Sequence, residues 1–362
     1  MRPILHVDTE RGWRGGQNQV YLLHRGLVAA GAPSTVLCRA GEPLAERLAA
    51  EGLPFLTVPL GFAFQLRAAA VIRKHAVAGA LIHAHASAAH GIALLGVVGT
   101  KAPLLVTRRL DFALKTGAMA RWKYGPRVTR FIAISQAVAR ILMAGGVTAR
   151  QVMLIPDGID PPTGTPAIAV PPTNTIRTGS GGYRYVGPAP IVLCAAAFAE
   201  HKGHRHLLEA WRLIEARGVP GELHLAGQGE LETDLRTQAE GLRRVKFLGW
   251  IDDLPTRWAG VTLAVLASVE EGLGSVLIEA QLAGVPVVAT TAGGIPDVVA
   301  HGFSGLLVPP GNPVALADAL ERLLRHPAER VRLANGAVRQ AQGFRAEIMV
   351  TKHLTLYREL AP

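Results

Sequence analysis

The sequence predicts an α/β chain of two doubly wound domains, each a parallel sheet covered by helices. Three observations carry this expectation. Before residue 160 and again after residue 190, short β-branched runs alternate with helical periodicity, the pattern of parallel strands joined by helical crossovers. Between the halves, 161–190 holds seven prolines among glycines and hardly any apolar periodicity, which marks a boundary. With 362 residues, 49% apolar and 18% charged, the chain is too long for one comfortable core and has ample material for two buried sheets.

In the first half, strands are expected at 3–8, 34–39, 54–58, 80–85, 104–108, 129–134 and 151–155. Helical patterns fall at 16–30, 42–50, 65–77 and 135–144. In the second half, strands are expected at 191–197, 222–226, 245–248, 262–266 and 285–289. Helices there are expected at 204–217, 231–240, 275–283, 314–325, 327–340 and 346–360. The domains read as 1–165 and 189–345, with 166–188 a linker or mobile excursion. Two Rossmann-like halves in tandem imply a cleft where strand C-termini and helix N-termini converge on ligands.

Cys38 and Cys194 lie singly in apolar runs and make neither a disulfide framework nor a metal site, which implies a reducing compartment. No apolar run reaches the roughly 18–20 residues of a membrane helix, and the first strand follows the N-terminus without a signal-peptide pattern. A cytoplasmic protein is expected, with docking at the inner face of the membrane left open. The net charge of +11 is concentrated in the first half: residues 1–160 carry 19 Lys/Arg against 8 Asp/Glu, the remainder 19 against 19. This suits an anionic partner, or else a solvated surface.

The sharpest motif follows the strand ending near Ala267: Glu270-Glu271-Gly272-Leu273-Gly274-Ser275-Val276-Leu277-Ile278-Glu279-Ala280. Gly272 and Gly274 permit close approach of backbone to ligand, and the amides of Ser275, Val276 and Leu277 open a helix, where an anion is favoured. Glu279 stands in a helix otherwise built of Val, Leu, Ile and Ala. A carboxylate buried there without a partner costs several kcal/mol, about the desolvation penalty of an ion, and it can accept two hydrogen bonds from a vicinal diol such as a ribose. If it faces solvent instead, it needs no ligand. Lys202, in Glu200-His201-Lys202-Gly203-His204, follows a strand and can place a point charge on a departing phosphate.

With these motifs the sequence resembles a retaining glycosyltransferase of family 4, of the two-domain GT-B fold. The resemblance rests on the two glutamates of Glu-Gly-Leu-Gly-x-x-x-x-Glu-Ala, on Leu282–Thr290, on Gly293-Gly294-Ile295-Pro296-Asp297 and on Gly305–Gly311. It implies that Glu279 holds the donor ribose, Glu271 the hydroxyls of the transferred sugar, and Lys202 with the amides of Ser275–Leu277 the diphosphate. Trp250 and Ile251, in Phe247-Leu248-Gly249-Trp250-Ile251, fit the loop that reads the nucleobase, although Trp250 also suits packing. Gly227-Gln228-Gly229-Glu230 fits a glycine turn of the family. The chain departs from the pattern at Ala197, where the family carries an arginine five residues before the lysine; His201, Arg205, Arg11 or Arg14 are the candidates to replace it.

The resemblance continues more loosely over 1–160. Gly12-Trp13-Arg14-Gly15-Gly16-Gln17 is similar to the family's first glycine loop, and implies that Gly15 and Gly16 face the donor phosphates. His85, of His83-Ala84-His85, would contact the transferred sugar or the acceptor, unless it is an ordinary core histidine. His83 and His85 are read as pointing to opposite faces of their strand. That reading, with the lack of an Asp-x-Asp motif, leads to the expectation of no metal and no cofactor beyond the nucleotide-sugar substrate. Arg14, Arg108 and Arg109 suit an anionic acceptor, or else plain surface charge. Arg121, Lys123, Arg127 and Arg130, interleaved with Trp122 and Tyr124, suit an interfacial docking patch or a solvated helix face. Ile155-Pro156-Asp157-Gly158 matches the end of the family's first domain, with Asp157 where asparagine is common. The last helix, within 346–362, is expected to cross back onto the first domain.

The function implied is hexose transfer with retention from a nucleotide-diphosphate sugar to an anionic, membrane-associated glycan, such as lipopolysaccharide core or a lipid-linked oligosaccharide. The rival readings are a non-catalytic nucleotide-sugar or nucleic-acid binder, nucleic acid being the less favoured partner, and an epimerase or phosphorylase on the same fold.

Overall fold

The structure, a computed structural model, describes residues 1–59, 63–114, 117–161, 175–177, 183–185 and 189–360. Two compact units emerge. The first is Met1–Ile159 with Phe344–Pro362, and the second is Asp160–Gly343.

The first unit runs β1 (Ile4–Val7), α1 (Gly15–Ala29), β2 (Ser34–Arg39), α2 (Pro43–Ala50), β3 (Phe55–Val58), α3 (Phe64–Val77), β4 (Leu81–Ala84), α4 (Ser87–Gly96), β5 (Leu104–Arg108), α5 (Ala118–Lys123), β6 (Arg130–Ala133), α6 (Gln136–Ala144) and β7 (Val152–Leu154). Its seven strands are ordered β3-β2-β1-β4-β5-β6-β7, and all pairs are parallel. The order reverses between β1 and β4. Crevices open at such a switch, at the carboxyl ends of the strands. Most of α4 is apolar, and six of its ten residues are buried. Helical periodicity is invisible in a segment so uniform, so this element is one the sequence pattern omits.

The expected linker, 166–188, falls largely outside the described residues. Within it, β8 (Thr175–Arg177) and β9 (Tyr183–Tyr185) form an antiparallel pair.

The second unit continues with β10 (Ile191–Ala195), α7 (His204–Ala216), β11 (Glu222–Ala226), α8 (Glu232–Gln238), β12 (Val245–Gly249), α9 (Leu254–Arg257), β13 (Leu263–Leu266), α10 (Ser275–Leu282), β14 (Val287–Thr290), α11 (Ile295–Val298), β15 (Gly305–Val308), α12 (Pro313–Arg325) and α13 (Pro327–Ala341). Its six strands are ordered β12-β11-β10-β13-β14-β15, again parallel throughout. Here the switch lies between β10 and β13, so the segments after those two strands share one edge. The core packs Trp211 and Leu207 of α7 and Leu320 and Leu323 of α12 against strand residues such as Val192 and Leu223.

The last helix, α14 (Ala346–Leu360), belongs to the first unit. It lies against α1, where Val350 approaches Gly26 so closely that a Cβ there would stand 2.5 Å from Val350 Cγ2. At Gly158 an added Cβ would meet the Ala346 backbone at 2.6 Å. Gln19 of α1 clamps the same glycine, donating to its carbonyl at 2.8 Å and accepting from its N–H at 2.9 Å. No helix among the described residues is long and apolar enough to cross a membrane.

Candidate functional site

In the second unit the segments after β10 and β13 are strapped together. A single turn of 3-10 helix, Glu200–Lys202, ends at Gly203 with φ +68°. The carbonyl of His201 accepts from the N–H of Val269 at 2.8 Å. A Cβ at Gly203 would lie 2.0 Å from the Ala267 carbonyl oxygen, so only glycine permits the approach. The result brings Lys202 and Glu271 together: Nζ donates to Oε2 at 2.7 Å, with both side chains largely buried. The Ser268 hydroxyl donates to the same oxygen at 3.0 Å, and the Glu271 carbonyl accepts from the N–H of Gly294 at 2.8 Å.

Glu271 leads through Gly272 into α10. The helix is capped by Gly274 at φ +85° and ψ +50°, a left-handed conformation that favours glycine. Of the three amides expected to bind an anion, Leu277 is a correction: its N–H is given to the Gly274 carbonyl at 2.9 Å and its side chain is buried. Ser275 and Val276, half-buried, supply the open donors of the first turn. One turn further on, Glu279 is half-buried, with its side chain beside the Trp258 indole. Burial pushes its carboxyl up to about 7, and the nearby Trp258 indole only partly offsets this. A carboxylate so placed lacks the charged partner that burial of an ion requires.

Trp250 is 54% exposed and its indole N–H donates to Asp252 at 2.9 Å, while Ile251 is half-buried. Trp250 therefore does not serve the core. Gly227 has φ +148°, and a Cβ there would stand 2.0 Å from the Ala196 carbonyl, which explains the glycine turn. Ala197 is exposed. Arg205, a candidate to replace the missing arginine, is drawn to Asp234 at 2.9 Å and Glu200 at 3.5 Å on the surface. His201 is half-buried in the strapped turn beside Lys202.

In the first unit, the switch between β1 and β4 opens into a cavity of about 650 Å3. Arg11, Arg14, Arg39, Arg108 and Arg109 line it, opposed by Asp8 and Glu10. Two helix starts face it, through Gly16 and Gln17 of α1 and through Ser87 and Ala88 of α4. At Gly15 and Gly16 nothing lies within 4 Å of where a Cβ would stand, so packing does not demand glycine there. The loop before them is held by Glu42, which accepts from the Gly12 N–H at 2.8 Å.

Arg109 is committed within the fold. Its Nε donates to both oxygens of Asp157 at 3.1 Å, and Nη1 donates to the His85 carbonyl at 3.2 Å. Burial raises the Asp157 carboxyl while Arg109 pulls it back, so the aspartate in place of asparagine is answered by a cation. Arg108 donates to the Tyr124 hydroxyl at 3.1 Å and to the Phe112 carbonyl, while its Nε is buried without a partner. Arg14 is exposed on the cavity rim, as is Arg11.

His85 lies on the cavity wall, buried. The expectation that His83 and His85 point to opposite faces is corrected: residues two apart on a strand share a face, and their ring centroids are 4.0 Å apart. His6, in register with His83 on β1, completes the group. Its Nδ1 is 2.9 Å from His85 Nε2. His83 bonds the Tyr357 hydroxyl of α14 at 2.7 Å and the Thr107 hydroxyl at 2.8 Å. Burial holds all three rings well below the usual histidine range, in the neutral form. Nitrogens of His6, His83 and His85 lie within 4.8 Å of one another, the one such group among the described residues that could hold a metal. To do so His83 would have to give up one of two good hydrogen bonds, whereas His6 Nε2 and His85 Nδ1 are buried without a partner. Sequence reasoning missed His6, Tyr357 and Thr107. The available signal was a pair of polar residues two apart at the end of each adjacent strand: His6/Asp8, His83/His85, Thr107/Arg109.

Two parallel-sheet α/β units with these edges define the GT-B glycosyltransferase class. The description Glycosyltransferase Family 4 matches residues 13–162, and Glycosyl transferases group 1 matches 189–326. The chain belongs to the family 4 glycosyltransferases. Among curated relatives it is 36% identical over 150 residues to the lipopolysaccharide core biosynthesis glycosyltransferase LpsE of Rhizobium meliloti, covering 40% of this chain and 43% of that one. It is 28% identical over 235 residues to the 2-deoxystreptamine glucosyltransferase of Streptomyces kanamyceticus, covering 62% and 58%. The chain thus matches less than two thirds of the length of these relatives. The fold is that of HepE from Anabaena, solved with UDP and glucose, at a TM-score of 0.82, 20% identity and coverage of 99% and 100%. It is also that of the lipopolysaccharide outer core galactosyltransferase WaaB, at 0.76, 15% identity and coverage of 99% and 100%.

Proposed function

We propose that the protein transfers a hexose-type sugar, with retention at the anomeric carbon, from a nucleoside-diphosphate sugar bound by the second unit to an anionic, membrane-associated glycan bound by the first. The observation that carries this reading is Glu279, a carboxylate raised to about 7 by burial beside a helix start. A ribose diol would donate two hydrogen bonds to it and supply what the protein withholds. The open amides of Ser275 and Val276 would take the diphosphate, and Gly272 and Gly274 keep the turn free of side chains. Lys202 would stabilise the leaving phosphate as the glycosidic bond breaks, held in place by Glu271, whose other oxygen is open to a sugar hydroxyl. Trp250 and Ile251 would border the nucleobase, and Gly15 and Gly16 would leave room for the donor phosphates.

The cationic cavity supports an acceptor bearing phosphate or carboxylate, with His85 on its wall and Arg14 and Arg108 as its contacts; Arg109 would act by holding the wall. The name of LpsE supports a lipopolysaccharide core acceptor, and such an acceptor would be met at the inner face of the membrane. No metal takes part in this reading, so EDTA is expected to leave turnover unchanged.

The test is incubation with UDP- and GDP-sugars, following slow donor hydrolysis. Glu279→Ala and Lys202→Ala are expected to lose about 100-fold or more while keeping their circular dichroism. Wild-type turnover in both variants would remove the assignment, and binding of nucleotide sugars without turnover would favour a non-catalytic binder.

A further inference from the structure

The cationic cavity has a neighbour. Ser87 and Ala88 also line an open apolar groove of about 640 Å3, walled by Gly91, Ile92, Leu95, Met119 and Trp122. Ser87, Gly91 and Leu95 recur every four residues, so the groove follows one face of α4 for about 12 Å at the rise of a helix. Leu95, Met119 and Trp122 are 48%, 72% and 42% exposed. A contiguous apolar surface of this kind marks a binding face. Its polar end is the end shared with the cavity. There Lys123 Nζ donates to the Ser87 carbonyl at 2.7 Å and to its hydroxyl at 2.9 Å. Burial, and the charge of Arg108 beside it, lower the affinity of Lys123 for its proton, a cost that an anion at this junction would relieve. Apolar wall, shared rim and cations at one end match an amphiphile in both length and polarity.

We propose that groove and cavity bind one molecule, a lipid phosphate: its anionic head lies among the cavity's arginines and its hydrocarbon chain along α4. The acceptor is then presented with its chain drawn into the protein, and a free, water-dissolved sugar phosphate fills only half the site. This deepens the transferase reading of the same cavity and rests on it for the word acceptor.

The test is calorimetric binding of n-butyl, n-octyl and n-dodecyl phosphate, each below its micelle concentration, with inorganic phosphate and phosphatidylglycerol vesicles as comparisons. Dodecyl phosphate is expected to bind at least about 30-fold more tightly than butyl phosphate, a modest share of the gain available from burying eight more methylenes. Leu95→Gln combined with Met119→Gln, both at the surface, is expected to bring dodecyl phosphate down to the butyl value. Arg14→Gln is expected to weaken the whole series by one common factor. Equal affinities along the series would overturn the proposal. So would vesicle binding without chain-length dependence, which would make the face a membrane-docking surface. Donor hydrolysis, assayed separately, keeps the two readings apart: hydrolysis with a flat series removes the lipid chain alone, and a steep series without hydrolysis removes the transferase alone.

Discussion

At the scale of single residues, the proposed donor site depends on charges placed where water is scarce. Burial raises the Glu279 carboxyl from the ordinary 4.5 to about 7. Between those values the folded chain holds a proton that the unfolded chain has released, so this group's contribution to stability is greatest at low pH and falls as pH rises to about 7. Ligand binding has the opposite sign, because the ionised form accepts both hydroxyls of a diol. Nucleoside-diphosphate affinity is expected to rise several-fold from pH 6 to 8, and Glu279→Gln to flatten that rise in a titration series. Lys202 and Glu271, joined at 2.7 Å, form one unit. Their alanine variants should be strongly non-additive in a double-mutant cycle of donor hydrolysis. In the first unit the buried Arg109–Asp157 pair is structural, and Asp157→Ala is expected to cost about 3 kcal/mol in urea unfolding by leaving a buried cation unpaired.

At the scale of elements, the alternation of apolar runs made the parallel frame legible, because strands such as Leu104–Arg108 and Leu263–Leu266 are buried on both faces. Elements lacking contrast were not legible. Ser87–Gly96 is apolar nearly all round, and Gly305–Val308 is four residues long within a longer motif. At the site, the glycine turn and the two glutamates stood out in the sequence. The meeting of Lys202 with Glu271 did not, since it depends on a turn 69 residues away being strapped to the end of β13. The histidine group was misread by a strand-face error, although its i, i+2 spacing contained the answer. The strap itself is testable. Gly203→Ala would set a Cβ 2.0 Å from the Ala267 carbonyl at a φ of +68°, and is expected to lower the second unit's unfolding midpoint and donor hydrolysis together.

At the scale of the whole molecule, the two units answer differently to acid. In the first, burial lowers His24 and His353 to about 4 and His90 to about 3, with His6, His83 and His85 also held well down. In the second, among the described residues, His204 alone is buried, at about 4. The unfolded chain binds protons at these rings below about 6.5 and the folded chain does not, so their stability is whole above 6.5 and lost as pH falls. Hydrogen exchange at pH 5 is expected to show the first unit opening before the second. The excess positive charge lies in the same unit, and the cavity, with five arginines against Asp8 and Glu10, holds part of it.

In the proposed donor site Glu279 grips the sugar of a nucleotide through its two hydroxyls. The most direct measurement is calorimetric binding of a nucleoside diphosphate and its 2′,3′-dideoxy counterpart to wild type and to Glu279→Gln. Wild type is expected to discriminate at least about tenfold against the dideoxy compound, because a buried acceptor loses its donors, and the variant is expected to discriminate little. Equal discrimination by both proteins would contradict it.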